Sequence, residues 1–282
     1  MLTLTAAAMD DEMTLNVMSS LALGAGMHIM NFFGRKMKPL TKSDGSPVTS
    51  VDISAESIIL SGLEKFGGHH MCVAEELMSA GAPIPELGRE FFLIDALDGT
   101  TEFLNNRPDF TVNLALIRDG LPVMGVVFAP AHRELYVGST SGAFRTRFND
   151  KMLKQDVRPI SVSARSVPAR IVASRSHRTP ETDAYIRSCN HAEIKSIGSS
   201  LKFCLVASGE ADIYPCLGRT MEWDTAAGHA VLVAAGGQVR TSEHGPLLYG
   251  KTHHADAAFA NPWFLASGAE ILQAPPALSR PR

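Results

Sequence analysis

The chain has 282 residues, enough for two folding units of about 150 residues or for one large unit. Apolar residues make up 45% of it and charged residues 20%, which excludes intrinsic disorder, collagen-like repeats and coiled coils. The formal net charge of −3 gives no overall attraction to anionic lipid or to nucleic acid, so no nucleic acid polymer is an expected partner. A phosphorylated ligand would therefore need a local device, such as bound cations.

The first long apolar segment, residues 14–34, contains no Asp, Glu, Lys or Arg and is long enough to raise the question of a membrane span. Its polar residues and glycines, and the acidic residues 10–12 before it, instead favour a buried helix and argue against a signal peptide. No transmembrane span is therefore predicted. Residues 38–49 predict a loop or loose hairpin, and the apolar spacing over 52–66 predicts a second helix.

Further apolar runs predict strands and helices in the rest of the chain. The expected strands are 71–74, 91–94, 111–117, 123–128, 171–174 and 211–214, and the expected helices are 179–188, 199–208 and 224–235. Alternating strands and helices in the second half indicate α/β layers. The chain becomes polar and aperiodic over 145–159, which places the boundary between an N-terminal half, 1–155, and a C-terminal half, 156–282.

Three stretches place carboxylates at the ends of strands or the starts of helices. Glu75 and Glu76 directly follow a predicted strand, a pattern that alone usually marks a solvated turn. In Asp95-Ala-Leu-Asp-Gly-Thr100, a turn with a helix cap explains Asp98 but not Asp95. A carboxylate at the exit of an apolar strand is costly unless a cation pairs with it. Asp224 is suited to be the N-cap of the helix after it, a role compatible with metal binding.

Four of these side chains form a set of hard oxygen ligands without His or Cys: Glu75, Asp95, Asp98 and Asp224. Such a set suits Mg²⁺ rather than zinc. Magnesium ions would also allow a mildly acidic protein to hold a phosphate. The amides of Gly99 and Thr100, at a helix start, could add hydrogen bonds to phosphate oxygens.

Together these motifs resemble the inositol monophosphatase superfamily of Mg²⁺-dependent, lithium-sensitive phosphatases. The motifs are Glu75-Glu76, Asp95-Ala-Leu-Asp-Gly-Thr100 and Trp223-Asp-Thr-Ala-Ala-Gly228. Further stretches resemble the CysQ-type 3'(2'),5'-bisphosphate nucleotidases within it: Ser46-Pro-Val-Thr49 with Asp52, Ser174-Arg-Ser-His177, and 196–207. The resemblance covers about residues 42–264 and is specific because the motifs occur together.

The resemblance implies an α+β or α/β fold of five αβαβα layers, with two or three Mg²⁺ ions between the two halves. It implies that Glu75, Asp95 and the carbonyl of Leu97 bind a first Mg²⁺. Asp95, Asp98 and Asp224 would bind a second.

The resemblance also assigns catalytic residues. Asp52 would help to hold a third metal or its water, and Thr100 with Glu75 would orient the attacking water. The chain departs from the usual pattern at Ala96, where relatives have Pro, and at Ala74, where they have Gly or Ser. Neither position supplies a ligand side chain, so activity is expected to be retained.

The implied reaction is hydrolysis of the 3'-phosphate of adenosine 3',5'-bisphosphate to AMP and phosphate, in sulfur assimilation or nucleotide recycling. The sulfated analogue is a second candidate substrate. The alternative within the superfamily is an inositol phosphate or fructose bisphosphate phosphatase, which would share every metal residue. An alternative of another class is a non-catalytic, metal-dependent nucleotide sensor on the same scaffold.

The second-half motifs are expected to hold the substrate's second phosphate through His177, Ser199 and Lys202. Related nucleotidases usually carry an arginine where this chain has Cys216, which offers no charge-assisted hydrogen bond at neutral pH. One hypothesis is that Arg219 replaces that guanidinium; the other is that Lys202 and His177 hold the phosphate alone. The full set of expected substrate contacts is Glu75, Leu97, Asp98, Gly99, Thr100, His177, Ser199, Lys202, Arg219 and Asp224.

The four cysteines form no C-x-x-C pair and no zinc spacing, which predicts free thiols in a reducing cytoplasm. The expected partner is a small nucleotide bisphosphate. Homodimerisation and peripheral contact with the inner membrane are left open.

Overall fold

The structure of the protein is a computed structural model that describes residues 11–42, 45–67, 71–164, 166–189, 191–253 and 256–268. The helices of these ranges are α1 (Asp11–Met30), α2 (Ser50–Gly67), α3 (Glu75–Ser79), α4 (Thr100–Leu104), α5 (Pro180–Ser188), α6 (Leu201–Ala207) and α7 (Glu222–Ala234). Two short strands, β1 (Leu40–Thr41) and β2 (Pro47–Val48), form the predicted hairpin before α2.

A seven-stranded sheet carries most of the first half. Its strands follow chain order across the sheet: β3 (Met71–Ala74), β4 (Glu90–Asp98), β5 (Thr111–Arg118), β6 (Leu121–Ala129), β7 (Glu134–Ser139), β8 (Gly142–Phe148) and β9 (Lys154–Ile160). Only β3 and β4 pair in parallel, because α3 and the chain after it connect them; the other neighbours are antiparallel.

A five-stranded mixed sheet carries the second half. Its strands are β10 (Arg170–Ser174), β11 (Glu193–Ile197), β12 (Ile213–Cys216), β13 (Gln238–Thr241) and β14 (Phe264–Ser267), in the spatial order β11-β10-β12-β14-β13. Helix α5 follows β10 and returns the chain to the parallel strand β11, in the βαβ arrangement that the alternating sequence pattern predicts.

The two sheets and the helices that cover their apolar faces form five layers. Helices α1 and α2 pack on one face of the seven-stranded sheet, where Met18, Ile59 and Phe128 share one apolar cluster. Helices α6 and α7 fill the space between the two sheets, and α5 covers the outer face of the second sheet through Tyr185 and Ile186. This confirms the predicted αβαβα sandwich. Within the described ranges, no helix has the length and apolar character that a bilayer crossing requires.

Residues 145–159, expected to be an aperiodic boundary, instead form much of β8 and β9. Strand β9 was not predicted because it is the edge strand of its sheet. Most of its residues are exposed, so its sequence lacks the apolar alternation of a covered strand. The predicted division between residues 155 and 156 falls inside β9 and stays a prediction.

Two predicted boundaries near the carboxylate motifs also differ from the structure. Strand β4 continues past Ile94 to Asp98, with an irregular register between Asp95 and Asp98, so Asp95 lies within the strand rather than at its exit. Helix α7 begins at Glu222, which places Asp224 in its first turn rather than at the N-cap. Its carboxylate still has a capping function, because Oδ2 accepts the backbone N–H of Met221 at 2.7 Å.

We expect the protein to lose stability as the pH falls from about 6.5 toward 5, because of a buried histidine in α7. His229 is 6% exposed and lies 2.9 Å from the Tyr249 hydroxyl, and burial lowers its pKa to about 3. The unfolded chain binds a proton below pH 6.5 that the folded chain excludes, so stability falls by about 1.4 kcal/mol per pH unit.

The His229→Gln variant should therefore remove about 2 kcal/mol from the difference in unfolding free energy between pH 6.5 and pH 5. Urea denaturation at both pH values measures this difference. The exposed His253→Gln is the matched control. A pH dependence that is the same in wild type and His229→Gln would contradict the assignment.

Candidate metal and phosphate site

Three carboxylates from separate elements meet at one end of the first sheet. Glu75 begins α3, Asp95 lies in β4, and Asp224 lies in the first turn of α7. One oxygen from each lies within 4.8 Å of those of the other two. Asp95 is 2% exposed, whereas Glu75 and Asp224 are half-buried. The parallel pairing of β3 and β4 and the placement of α7 between the sheets create this meeting point.

The proximity of these carboxylates opposes their ionisation in the absence of a cation. Burial raises the pKa of Asp95 and of Asp224, and the neighbouring carboxylates raise both further. Burial also raises the pKa of Glu75, although the charge of Lys42 opposes this. A divalent cation between them would remove the repulsion. Hard oxygen donors are the ligands that such an ion needs, so the residues fit the predicted metal.

Lys42 neutralises part of this negative charge and was not predicted to lie at the site. Its Nζ donates to Glu75 Oε1 at 2.6 Å and to Glu76 Oε1 at 2.7 Å, and its side chain is 6% exposed. Burial alone would lower the pKa of the Lys42 ammonium, but the two carboxylates raise it above its ordinary value. Burial together with the charge of Glu75 raises the pKa of Glu76 to about 7. No local sequence pattern distinguishes Lys42, since one lysine in a loop is usually solvated.

Asp52 and Thr100 form a hydrogen-bonded pair next to this cluster. Thr100 Oγ1 donates to Asp52 Oδ1 at 2.7 Å. The other carboxylate oxygen, Oδ2, accepts the backbone N–H of Thr49 at 2.8 Å and its hydroxyl at 2.6 Å. Asp52 is 1% exposed, and these three donors satisfy its buried carboxylate oxygens. Because the Thr100 O–H donates to Asp52, the lone pairs of the Thr100 oxygen can accept a hydrogen bond from another group.

The turn between Asp98 and Thr100 depends on a glycine in the left-handed region. Gly99 has φ 95°, and a Cβ there would come within 3.2 Å of the Asp109 carbonyl oxygen. This turn lets β4 end and α4 begin within two residues. It places Leu97 so that its carbonyl lies 3.3 Å from Thr100 Oγ1, while its N–H donates to Asp95 Oδ1 at 3.0 Å.

Asp98 connects the two halves instead of joining the three clustered carboxylates. Its Oδ2 accepts the Ser199 hydroxyl at 2.7 Å, the Ser200 N–H at 2.9 Å and the Asn113 amide at 3.3 Å. Its charge raises the pKa of Asp95 and of Asp224. Asp98 is nevertheless not one of the three residues whose carboxylate oxygens lie within 4.8 Å of one another. Asn113, which no sequence motif indicated, is thus one of the residues that hold the Asp98 carboxylate.

The predicted second-phosphate residues lie in different environments. Lys202 is 6% exposed; its Nζ donates to the Ser199 carbonyl at 2.5 Å and lies 5.2 Å from the centre of the Tyr214 ring. Burial lowers the pKa of Lys202. His177 is exposed, and its N–H donates to Ser174 Oγ at 3.0 Å.

Cys216 ends β12 as a buried thiol, and burial raises its pKa. Arg219 is exposed in the loop that follows. This loop contacts the start of α5, because the Thr179 hydroxyl donates to the Leu217 carbonyl at 2.9 Å. Arg219 and His177 therefore lie on neighbouring loops.

The chain belongs to the inositol monophosphatase family, whose sequence model matches residues 10–273. Among its relatives is a CysQ 3'(2'),5'-bisphosphate nucleotidase of Shigella flexneri, 38% identical over 90% of this chain and 99% of that protein. Another relative of the same name, from Buchnera aphidicola, is 38% identical over 90% of this chain and 93% of its own length. The resemblance that the motifs indicate is thereby confirmed.

Solved structures give the same result for the fold. CysQ from Bacteroides thetaiotaomicron, described as a bacterial member of the inositol monophosphatase family, matches 94% of this chain and 100% of its own, with a TM-score of 0.76 and 32% identity. An inositol monophosphatase from Thermotoga maritima matches 92% of this chain and 93% of its own, with a TM-score of 0.72 and 25% identity. The family is metal-dependent, in agreement with the carboxylate cluster.

Proposed function

We propose that the protein is a Mg²⁺-dependent 3'(2'),5'-bisphosphate nucleotidase that hydrolyses the 3'-phosphate of adenosine 3',5'-bisphosphate to AMP and phosphate. The observation that carries this proposal is the cluster of Glu75, Asp95 and Asp224 beside the Thr100–Asp52 pair. The relatives at 38% identity support the choice of substrate, since they bear the name of that activity. Its sulfated analogue is a second substrate, and sulfur assimilation is the proposed context.

In this proposal, Glu75, Asp95 and the Leu97 carbonyl would hold one Mg²⁺, and Asp95, Asp98 and Asp224 would hold another. Asp52 is placed to support a third. Bound there, Mg²⁺ would offset the carboxylate charge and the charge of the phosphate ester, and would favour attack by water at neutral pH.

The side chains position the attacking water. Thr100 Oγ1, whose proton is donated to Asp52, accepts a hydrogen bond from the water, and the Glu75 carboxylate accepts a second. The Gly99 and Thr100 amides donate to phosphate oxygens at the start of α4. Because phosphoryl transfer has a loose transition state, this positioning and charge neutralisation account for catalysis without a covalent intermediate.

Metal removal tests the proposal. Purified protein should release phosphate from adenosine 3',5'-bisphosphate with added Mg²⁺ and none after EDTA treatment, and activity should return when Mg²⁺ is restored. Binding of the nucleotide without any phosphate release would instead favour the non-catalytic sensor.

We propose that Arg219 contacts the substrate's second phosphate, in place of the arginine that Cys216 replaces. The exposed position of Arg219, on a loop next to that of His177, supports this assignment. The Arg219→Ala variant should lose about 1.5–3 kcal/mol of binding to adenosine 3',5'-bisphosphate and none to adenosine 3'-monophosphate. KM values for the two substrates measure this, and Arg187→Ala, an exposed arginine of α5, is the control. An equal effect on both substrates, or no effect, would leave Lys202 and His177 as the phosphate ligands.

We also propose a cytoplasmic location. No disulfide joins the four cysteines, all of which lie in the described residues, and burial raises the pKa of Cys72 to about 11 and that of Cys204 well above its ordinary value. Thiols in this protonated form are slow to react and suit a reducing compartment. A homodimer and peripheral contact with the inner membrane stay predictions.

A further inference from the structure

Two buried carboxylates of the first half hold loops of the second half, and no motif predicted this contact. Glu102 lies in α4, two residues after Thr100, and is 2% exposed. Asp109 lies just before β5 and is 5% exposed. We call these two side chains with Arg175 and Ser176 the inter-sheet clamp.

The clamp fixes the loop that carries His177. The Ser176 hydroxyl donates to Glu102 Oε1, and Arg175 Nη1 lies 3.4 Å from Glu102 Oε2 and 2.5 Å from Asp109 Oδ2. Arg175 Nη2 also donates to the Ser196 carbonyl at 3.0 Å, so it connects β10, the end of β11 and α4.

Asp109 also receives a contact from the solvent side. His132 Nε2 lies 3.0 Å from Asp109 Oδ1. Burial alone would raise the pKa of Asp109, but the hydrogen bonds from His132 and Arg175 outweigh it and hold the pKa below its ordinary value. The carboxylate is therefore ionised at neutral pH and pairs with the Arg175 guanidinium.

The loop that carries Ser199 packs against the same two residues. A Cβ at Gly198 would come within 2.5 Å of the Asp109 carbonyl oxygen and 2.9 Å of Glu102 Cγ, so only glycine allows this approach. Gly198, the residue before Ser199, therefore packs against the same two residues that hold the loop of His177. The loops that carry His177 and Ser199, both expected from the sequence to contact the second phosphate, thus pack against Glu102 and Asp109.

We infer that the inter-sheet clamp is a specificity-determining device that sets the distance between the metal cluster and the second phosphate of a nucleotide bisphosphate. This inference rests on the proposed function, because it takes His177 to be a ligand of that phosphate. Glu102, Arg175 and Ser176 are positioning residues: they hold the loop in its binding conformation before the substrate arrives. Such preorganisation lowers the entropic cost of binding. Its loss should therefore raise KM for a substrate whose second phosphate contacts the loop.

Two variants test the clamp from opposite sides. Glu102→Gln keeps the shape of the side chain but removes its charge, and Ser176→Ala removes the hydroxyl that holds the loop. Each should raise KM for adenosine 3',5'-bisphosphate by about tenfold, the effect of one lost hydrogen bond to a charged group. Values of kcat, and KM for adenosine 3'-monophosphate, should stay within about twofold, because the clamp does not touch the reacting phosphate.

Arg107→Gln is the matched control. Arg107 Nη1 lies 3.3 Å from the same Glu102 oxygen as Arg175, but its side chain is 47% exposed and it belongs to the first half rather than to the loop of His177. The control should leave both KM values unchanged. A merely structural role for the clamp would instead lower the melting temperature and affect both substrates equally.

The outcomes separate the inference from the function on which it rests. Wild-type protein with equal KM for the two substrates would contradict the proposed function and the clamp together. Wild-type preference for the bisphosphate that persists in both Glu102→Gln and Ser176→Ala would contradict the clamp alone. A selective rise of KM in both variants, absent from Arg107→Gln, is the result that supports it.

Discussion

The Asp95→Asn variant is expected to hydrolyse adenosine 3',5'-bisphosphate at least about 10³-fold more slowly than wild type, the effect of losing several kcal/mol of metal-dependent charge stabilisation. Asp95 lies within 4.8 Å of two further carboxylates and is proposed to contact both metal ions. Asparagine has nearly the same shape but only a neutral oxygen, so the site would bind divalent cations more weakly.

The same variant is expected to keep its fold, and the metal-free protein should gain stability. Asp95 is 2% exposed, and its charge is opposed by Glu75, Asp98 and Asp224, so removing it relieves repulsion. Phosphate release and thermal unfolding in EDTA measure the two effects. Asp119→Asn, at an exposed ion pair with Arg89, is the control for both. Turnover near the wild-type rate at saturating Mg²⁺ would remove Asp95 from the site.

Thr100→Ala should lower kcat by about a hundredfold, as expected when the attacking group loses its alignment. The Thr100 hydroxyl donates to Asp52 at 2.7 Å, and Thr100 is not part of the carboxylate cluster. Its loss should therefore leave the affinity for Mg²⁺ within about threefold, less than the effect of one metal ligand.

Calorimetric titration of Mg²⁺, alongside steady-state kinetics, separates these two quantities. Thr101→Ala, at the neighbouring position in α4, controls for a general disturbance of the helix. A Thr100→Ala variant with normal kcat but a large loss of Mg²⁺ affinity would show that the hydroxyl supports the metal rather than the water.

The motif carboxylates could be predicted because their chemistry is local. Asp95 stands out as a charge within an apolar strand, and the Asp-Gly-Thr sequence indicates a turn that starts a helix. The structure confirms this turn with Gly99 at φ 95° and α4 beginning at Thr100. Helices α1 and α2 were also predictable, since each buries one regular face of its sequence.

Contacts between distant segments could not be predicted in the same way. Lys42 and Glu75 are 33 residues apart, Asp98 and Ser199 are 101 apart, and no local pattern pairs them. The clamp residue Glu102 appears in the sequence as an ordinary helix glutamate, yet it is buried where the two sheets approach each other. Edge strand β9 was not predicted either. Most of its residues are exposed, so its sequence lacks the alternation of apolar and polar residues that identifies a strand.

The central claim is that this carboxylate cluster serves a nucleotide bisphosphate, and a comparison of three substrates tests it most directly. Phosphate release should be measured side by side from adenosine 3',5'-bisphosphate, inositol 1-phosphate and fructose 1,6-bisphosphate, at the same enzyme and Mg²⁺ concentrations. We predict the highest kcat/KM for adenosine 3',5'-bisphosphate, because only this substrate combines a 3'-phosphate at the cluster with a second phosphate near His177. A higher kcat/KM for inositol 1-phosphate or fructose 1,6-bisphosphate would contradict the claim and identify a sugar or inositol phosphatase.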